Sequence, residues 1–166
     1  MTTLPRFALT SAFALLGVGC ATQPRTATLA KPQRICKVRT TAYTHTEAGG
    51  HNNAVGTKLS GKNVMSAASD WSRWPLGTKF RIVGTDDVFK IDDYGSALIG
   101  TGTIDLYKTN RLAMRKWGVR SVDIDVIEWG SKEKSLQVLA PRRKNPRVRR
   151  MILALSKERI PDFRQF

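Results

Sequence analysis

The chain has 166 residues and a formal net charge of +15, from 28 Lys and Arg residues against 13 Asp and Glu residues. This length suffices for one ordinary domain and excludes two large ones, and a hydrophobic fraction of 41% excludes a disordered chain. The charge is uneven, because residues 1–38 carry +5, residues 39–131 carry +2 and residues 132–166 carry +8. The two basic tails suit an anionic partner, but no base-reading module accompanies them, so we expect no nucleic-acid partner.

Residues 1–20 predict an export signal. Arg6 precedes a mostly apolar run from Phe7 to Val18, which is too short for a comfortable membrane span. The run leads to Cys20 after a small residue, which is similar to the lipobox of bacterial lipoproteins, although Gly17 stands where Leu is usual. We expect lipidation of Cys20, with plain cleavage or a retained anchor as alternatives, and hence an exported envelope protein anchored at the outer membrane.

Residues 21–33 predict a tether, because they are small and polar, contain prolines and lack an apolar period. The second cysteine of the chain, Cys36, follows close behind. A disulfide with Cys20 is one possibility in an oxidising compartment. A lone cysteine near the start of a strand is more often a small buried side chain than a nucleophile, and this is our expectation for Cys36.

Short strands with turn residues between them are predicted for the central region. A run of β-branched residues after Arg34 predicts a first strand of about ten residues that ends near Tyr43. Pro75 and Gly77, at the second and fourth places of a tetrapeptide, predict a type I turn. Further strands are predicted over residues 63–67, 79–83, 88–91, 104–107 and 119–128.

One helix is predicted inside this region, over Thr109–Trp117, with Gly118 as its stop. Six short strands and one helix predict a mainly β domain over residues 34–131, closed into a six-stranded barrel. The basic tail over residues 132–166 contains a proline-bounded linker and a possible helix over Val148–Arg159. That helix could lie on an anionic bilayer, or it could dock on the barrel or fray, and weak caps favour the second reading.

Three acids stand out by context. Asp70 precedes the turn at Pro75, and Asp93 closes a strand before a glycine-rich loop. Asp105 lies inside an otherwise apolar strand, where desolvation would raise its pKa as a general acid requires. The simpler interpretation is that such aspartates cap backbone amides or face solvent.

Six motifs occur in an order that resembles the three-aspartate domain family. The match covers roughly residues 37–130, and its motifs are Thr41–Thr44, Met65–Asp70, Trp74–Lys79, Asp93–Gly100, Ile104–Tyr107 and Trp117–Val122. The family includes the barrel of membrane-bound lytic transglycosylase A and stand-alone stationary-phase survival proteins. The resemblance implies a double-psi β-barrel and a lytic transglycosylase that cleaves peptidoglycan glycan strands without water or a cofactor.

The resemblance also implies roles for individual residues. Asp105 matches the single acid/base, and Asp93 and Asp70 match two supporting aspartates that orient it, tune its pKa or bind sugar hydroxyls. Asp92 beside Asp93 leaves the second assignment ambiguous by one position. The implied substrate-binding residues are the loop residues Gly95, Ser96 and Ala97, where Ser96 replaces a usual glycine, and the groove residues Tyr43 and Tyr107.

The family's two-domain member builds its cleft between domains, and this chain offers only the barrel. A homodimer, the loop over residues 46–56 or the basic tail would have to supply the second wall. His45 and His51 lie at that loop, but a metal site would need a third ligand such as Glu47, so we expect solvent-facing histidines and no metal. Two alternative functions stay open: a non-catalytic, expansin-like wall-binding module, and a hydrolase that pairs Asp105 with Asp93.

Overall fold

The structure is a computed structural model that describes residues 32–47 and 50–157. The predicted signal, Cys20 and nearly all of the predicted tether lie outside these residues. Within the described ranges, no helix is long and apolar enough to cross a membrane.

Six strands close into a barrel with the spatial order β1-β5-β2-β4-β3-β6. The prediction of a mainly β, closed, six-stranded barrel is therefore confirmed. Interior positions are filled by apolar side chains with no exposure, among them Phe80, Phe89 and Ile124. The strands are β1 (Gln33–Tyr43), β2 (Val64–Ser69), β3 (Lys79–Ile82), β4 (Val88–Asp93), β5 (Ile104–Tyr107) and β6 (Arg120–Glu128).

The strand pairing has an internal twofold symmetry. Strands β1 and β5 run parallel, as do β2 and β4, whereas all other neighbours are antiparallel. Exchanging β1, β2 and β3 with β4, β5 and β6 reproduces every pair around the barrel. Two interlocked halves of this kind are what the expected double-psi arrangement requires.

Side-chain alternation on β5 locates the outer face of the barrel. Ile104 and Leu106 have no exposure and point into the core, beside Thr40 and Ala67 on the neighbouring strands. Successive side chains of a strand point to opposite faces, so Asp105 projects from the outer face. This face carries most of the residues considered below.

Two local expectations are wrong. The turn begins at Pro75 rather than Trp74, because the Thr78 N–H donates to the Pro75 carbonyl at 3.0 Å. Gly77 then occupies the third position with φ of 96°, which is the left-handed geometry of a type II turn. Cys36 is a free, exposed thiol rather than a buried one, because it lies where the pairing of β1 with β6 shifts register.

The short predicted helix is α1 (Arg111–Trp117), which begins after Asn110. The Asn110 side chain accepts a hydrogen bond from the Ala113 N–H, as an N-cap residue does. The basic tail contains two further helices, α2 (Lys132–Leu139) and α3 (Pro146–Lys157), joined through a 3₁₀ turn over Ala140–Arg142. Helix α2 was not predicted, since its sequence lacks a clear apolar period.

Helix α3 docks on the barrel. Its residues Val148, Met151 and Leu155 are buried in the same hydrophobic cluster as Trp71. The Met151 sulfur accepts a hydrogen bond from the Trp71 backbone N–H at 3.2 Å. Of the two readings of this segment, the structure therefore shows docking, and the tail as far as Lys157 is part of the folded domain.

Two leucines of α3 test this docking. Leu155 is 3% exposed and Leu153 is 54% exposed. We expect Leu155→Ala to lower the free energy of unfolding by about 2–5 kcal/mol, because it leaves a cavity in the core. Leu153→Ala should change it by less than about 0.5 kcal/mol. Urea unfolding measures both, and equal effects of the two substitutions would contradict the docking of α3.

Candidate active site

Four residues form one row across the outer face, and we call them the aspartate row: Thr41, Asp105, Ala68 and Asp93. Thr41 pairs with Asp105, Ala68 pairs with Asp105 on its other side, and Ala68 also pairs with Asp93. Neighbouring strands lie about 4.8 Å apart, so the Cα atoms of the two aspartates are separated by about 10 Å. Ala68 is the residue between them in the strand pairing.

Asp105 is half-buried and is held by a hydroxyl group of the neighbouring strand β1. The Thr41 Oγ1 donates to the Asp105 Oδ1 at 2.6 Å. Burial raises the pKa of Asp105, the hydrogen bond from Thr41 opposes this, and the nearby carboxylate of Glu47 raises it further. The environment therefore favours the protonated form of Asp105 more than water does, as a general acid needs.

Asp93 is the second residue of the aspartate row whose carboxyl group has a raised pKa. Burial raises its pKa to about 6, and the charge of Asp92 adds to the rise. The N–H groups of Tyr94 and Ala54 oppose the rise, the former through a hydrogen bond of 2.8 Å to the Asp93 Oδ1. Near neutral pH, Asp93 can therefore both hold and release a proton.

The ambiguity between Asp92 and Asp93 has a geometric answer. Ala67 pairs with Ile91 and Ala68 pairs with Asp93, so Asp92 is the extra residue of a β-bulge. Asp92 is buried, and its Oδ2 accepts a hydrogen bond from the Ser66 hydroxyl at 2.8 Å. Burial raises the pKa of Asp92 as well. Asp93, and not Asp92, shares the aspartate row with Asp105.

Tyr43 and Tyr107 pair two residues beyond Thr41 and Asp105 on β1 and β5. Their ring centroids lie 5.6 Å apart in an edge contact. Burial raises the pKa of the Tyr43 hydroxyl, and Asp93, Asp92 and Asp105 raise it further. The Tyr43 hydroxyl also lowers the pKa of Asp93, but no well-aligned hydrogen bond joins the two groups. Tyr107 is only 6% exposed, so its ring packs in the protein rather than offering a face to a sugar.

Asp70 does not join the aspartate row. It is 2% exposed, and both of its oxygens are engaged by protein groups. Its Oδ1 accepts from the backbone N–H and the hydroxyl of Ser72, and its Oδ2 accepts from the Gly100 N–H at 2.7 Å. Asp70 therefore fixes the loop that follows Asp93, and it acts as a positioning residue for that loop.

The loop residues Gly95, Ser96 and Ala97 follow directly beyond Asp93 and Tyr94. Ser96 and Ala97 are exposed, and the Gly95 carbonyl accepts from the Leu98 N–H at 3.0 Å to form a turn. A side chain at Gly95 would place its Cβ 3.1 Å from the Leu98 Cδ1, so the turn leaves little room there. The small residues leave the backbone beside Asp93 accessible to a ligand.

Two of the segments expected to complete a cleft flank Asp93. Arg142, in the basic tail, donates to the Ala54 carbonyl at 2.7 Å, and its guanidinium lies 5.8 Å from the Tyr94 ring centroid. From the other side, the Trp71 indole donates to the Asp93 carbonyl at 2.8 Å. The loop that contains Ala54 and the basic tail therefore hold one another against the same aspartate.

The histidines of this loop contact the site. The rings of His45 and His51 stack with centroids 4.5 Å apart, and the His45 Nδ1 lies 2.8 Å from the Tyr107 hydroxyl. His45 is half-buried rather than solvent-facing, and His51 is exposed. In the described part of the chain, no group of three His, Cys, Asp or Glu side chains could hold a metal ion.

No protein-family model matches the chain, and a search of curated proteins finds no significant match. Sequence reasoning gave no role to Thr41, Trp71 or Arg142, although Thr41 lies within a quoted motif. Thr41 meets Asp105 because β1 pairs in parallel with β5. This pairing can be predicted only once the strand order of the barrel is known.

The raised pKa of Asp93 predicts a pH-dependent effect on stability. An acid with a raised pKa in the folded state contributes stability below its unfolded pKa, and that contribution is lost as pH rises through about 6. We expect Asp93→Asn to raise the melting temperature relative to the unmodified protein at pH 8, and to do so much less at pH 4. Thermal unfolding at both values tests this, with exposed Asp86→Asn as the control. A gain of equal size at both pH values would contradict the assignment.

Proposed function

We propose that this protein is a peptidoglycan lytic transglycosylase with Asp105 as its single acid/base. The observation that carries the proposal is the state of Asp105: an acid with a raised pKa on the outer face of the barrel, held by one donor, Thr41. The order of the motifs, which resembles the three-aspartate family, supports the same reaction. The proposal agrees with the export signal and the lipidated Cys20 that the N-terminal sequence predicts.

The proposed reaction uses the Asp105 carboxyl group twice, first as an acid and then as a base. Asp105 first donates its proton to the oxygen between N-acetylmuramic acid and N-acetylglucosamine, and the bond from that oxygen to the muramoyl C1 breaks. The Asp105 carboxylate then takes the proton of the muramoyl C6 hydroxyl while that oxygen bonds to C1. A 1,6-anhydro ring results, Asp105 is protonated again and no water is consumed. One acid with a pKa near the working pH suffices.

Other residues have supporting roles in the proposal. Thr41 orients the Asp105 carboxyl group through its hydroxyl. Asp93 lies in the aspartate row, and its pKa is raised to about 6. When ionised, it could accept a hydrogen bond from a sugar hydroxyl. Asp70 holds the loop of Gly95, Ser96 and Ala97, whose exposed backbone would face the glycan. The half-buried Tyr43 would lie at the edge of the groove.

Digestion of purified peptidoglycan tests the role of Asp105. We expect the protein to release muropeptides lighter by one water than hydrolytic products, identified by mass spectrometry. Asp105→Asn should reduce this release by at least about a thousandfold, because general acid catalysis contributes about 10²–10⁴-fold in rate and here one group serves in both steps.

The matched control is Asp86→Asn, which removes a carboxylate from the exposed β3–β4 turn. It should leave the rate unchanged, and circular dichroism should show both variants folded. Unchanged release by a folded Asp105→Asn variant would overturn the assigned role of Asp105.

Thr41 should set the pH profile of the reaction. Its hydrogen bond stabilises the ionised form of Asp105, so Thr41→Val should raise the pKa of Asp105 further. The reaction needs protonated Asp105 at its first step, so the alkaline limb of the rate profile should move to higher pH in this variant. A profile of the rate between pH 4 and 9 measures the shift. A limb that stays in place while the rate falls would assign Thr41 a merely structural role.

A two-acid hydrolase is the second candidate, and the pKa of Asp93 favours it. Retaining glycosidases hold their carboxyl groups about 5–5.5 Å apart and inverting enzymes about 6.5–9.5 Å, and side chains across Ala68 could meet either range. Products of full hydrolytic mass, lost in both Asp105→Asn and Asp93→Asn, would establish this reaction. Binding to sacculi without any product would favour the expansin-like binding module instead.

A further inference from the structure

A second concave site lies on the same outer face as the aspartate row. It is an open pocket of about 500 Å³ at the start of β1, beside the loop that enters β5. We call it the basic pocket. Its lining combines two cations, a tryptophan and two threonines with small neighbours: Lys37, Val38, Arg39, Trp74, Thr101, Gly102 and Thr103.

The basic pocket continues the line of the aspartate row. Arg39 precedes Thr41 by two residues on β1, so both side chains project from the same face, and Thr103 precedes Asp105 by two residues in the loop that enters β5. Two residues of a strand span about 6.6 Å, which is close to the length of one sugar ring. The Arg39 Nη1 donates to the Thr103 Oγ1 at 3.0 Å and thereby lies against the loop that forms the pocket wall. A glycan bound at Asp105 could therefore reach Arg39.

A backbone irregularity brings Lys37 into the pocket lining. Lys37 has φ of 55°, within the left-handed region that a lysine seldom adopts, and it lies at the register shift of β1. The Asp123 Oδ1 accepts a hydrogen bond from the Lys37 backbone N–H at 2.8 Å and so stabilises this conformation. Bulges often re-aim a side chain next to a functional site, and here the re-aimed side chain is a cation.

The cations of the basic pocket have no carboxylate partner in the described residues. The salt bridges among the described residues join Arg34 with Asp125 and Lys79 with Glu128, and neither pair includes a cation of the basic pocket. Asp123 is the nearest acid by contact, and it bonds to the backbone rather than to the ammonium group of Lys37. An unpaired Lys and Arg on one rim suit a carboxylate, since charge-assisted hydrogen bonds are the strongest that the site could form.

Most of the remaining lining is buried, because Val38, Trp74 and Thr103 are 6%, 7% and 4% exposed. Trp74 borders the pocket, and its ring stacks on Trp129 with centroids 5.9 Å apart, which fixes its orientation. The polar groups around Trp74 are engaged within the protein: the Gly102 carbonyl accepts from the Trp74 indole at 3.4 Å, and the Thr101 hydroxyl donates to the Leu98 carbonyl. The exposed cations Lys37 and Arg39, rather than the Trp74 ring, are therefore the groups of the pocket that an anionic ligand can reach.

We infer that the basic pocket is a subsite for a carboxylate carried by an N-acetylmuramoyl residue. This inference rests on the proposed function, because it identifies the substrate group bound beside Asp105. The carboxylate has two possible sources, the lactyl ether of an unsubstituted muramoyl residue and the stem peptide of a substituted one. Lys37 and Arg39 would bind it and so fix which sugar faces Asp105.

Binding of three small probes to the full chain tests the subsite by NMR. The probes are N-acetylglucosamine, N-acetylmuramic acid, and N-acetylmuramoyl-L-alanyl-D-glutamate, whose lactyl group is amidated. We expect N-acetylglucosamine to leave the amide signals of Thr101–Thr103 and the indole signal of Trp74 unmoved. A carboxylate probe should shift them. Shifts with N-acetylmuramic acid identify the lactyl carboxylate as the ligand, and shifts with N-acetylmuramoyl-L-alanyl-D-glutamate identify the peptide carboxylates.

Charge removal provides the matched control. Lys37→Gln with Arg39→Gln should weaken binding of the carboxylate probe by at least about tenfold, because both charge-assisted hydrogen bonds are lost. Arg115→Gln with Lys116→Gln removes the same charge from exposed positions of α1 and should leave binding unchanged. Equal binding of all three probes, or full affinity in the first double variant, would overturn the subsite.

Failure of the subsite and failure of the proposed reaction are distinguishable. Asp105→Asn should bind the carboxylate probe as the unmodified protein does, because the measurement needs no turnover. If the protein binds the probe at the basic pocket but releases no glycan product, the subsite stands and the proposed reaction falls. If it releases anhydro products and no probe shifts the pocket signals, the subsite falls alone.

Discussion

The site depends on one irregularity, the bulge at Asp92 in β4. In a regular parallel ladder, Ala68 would pair with Asp92, and Asp92 would face Asp105 across the alanine. The extra residue shifts the register so that Asp93 takes that place. The buried Asp92 side chain instead accepts a hydrogen bond from the Ser66 hydroxyl. A bulge inserts one residue and reverses which side chains point outward beyond it. The local cost is a buried carboxyl group with one oxygen, Oδ1, that has no partner in the described chain.

Segments distant in sequence hold the groups around Asp93. Trp71 donates to the Asp93 carbonyl and to the Met151 sulfur of α3, and Arg142 holds the loop at Ala54, whose N–H lowers the pKa of Asp93. The basic tail thus contacts two of the groups that bond to Asp93. This coupling gives the tail a structural role that its composition alone would not indicate, because Arg142 contributes a directed hydrogen bond rather than net charge.

The alternation of apolar residues and the turn residues between them predicted the strands of the barrel. The strands were predicted within about two residues at most ends, and Asp105 was singled out because apolar neighbours on one strand imply partial burial. The contact of Thr41 with Asp105 could not be predicted, since it depends on β1 lying beside β5 across 64 residues of sequence. Helix α2 was not predicted because its two buried residues are a serine and a leucine: Ser135 accepts from the Leu76 N–H and Leu139 lies in the core, which gives no clear apolar period. The exposure of Cys36 follows from the same register shift that re-aims Lys37.

The parallel pairing of β1 with β5 sets the order of side chains along the outer face. Thr41 with Asp105 and Tyr43 with Tyr107 follow one another in register, and Arg39 lies two residues before Thr41 on β1. Cation, acid and aromatic ring therefore follow in a fixed order at steps of about 6.6 Å. The glycan of the proposed reaction would therefore meet these groups in that fixed order, and the barrel contains two such parallel pairs, β1 with β5 and β2 with β4.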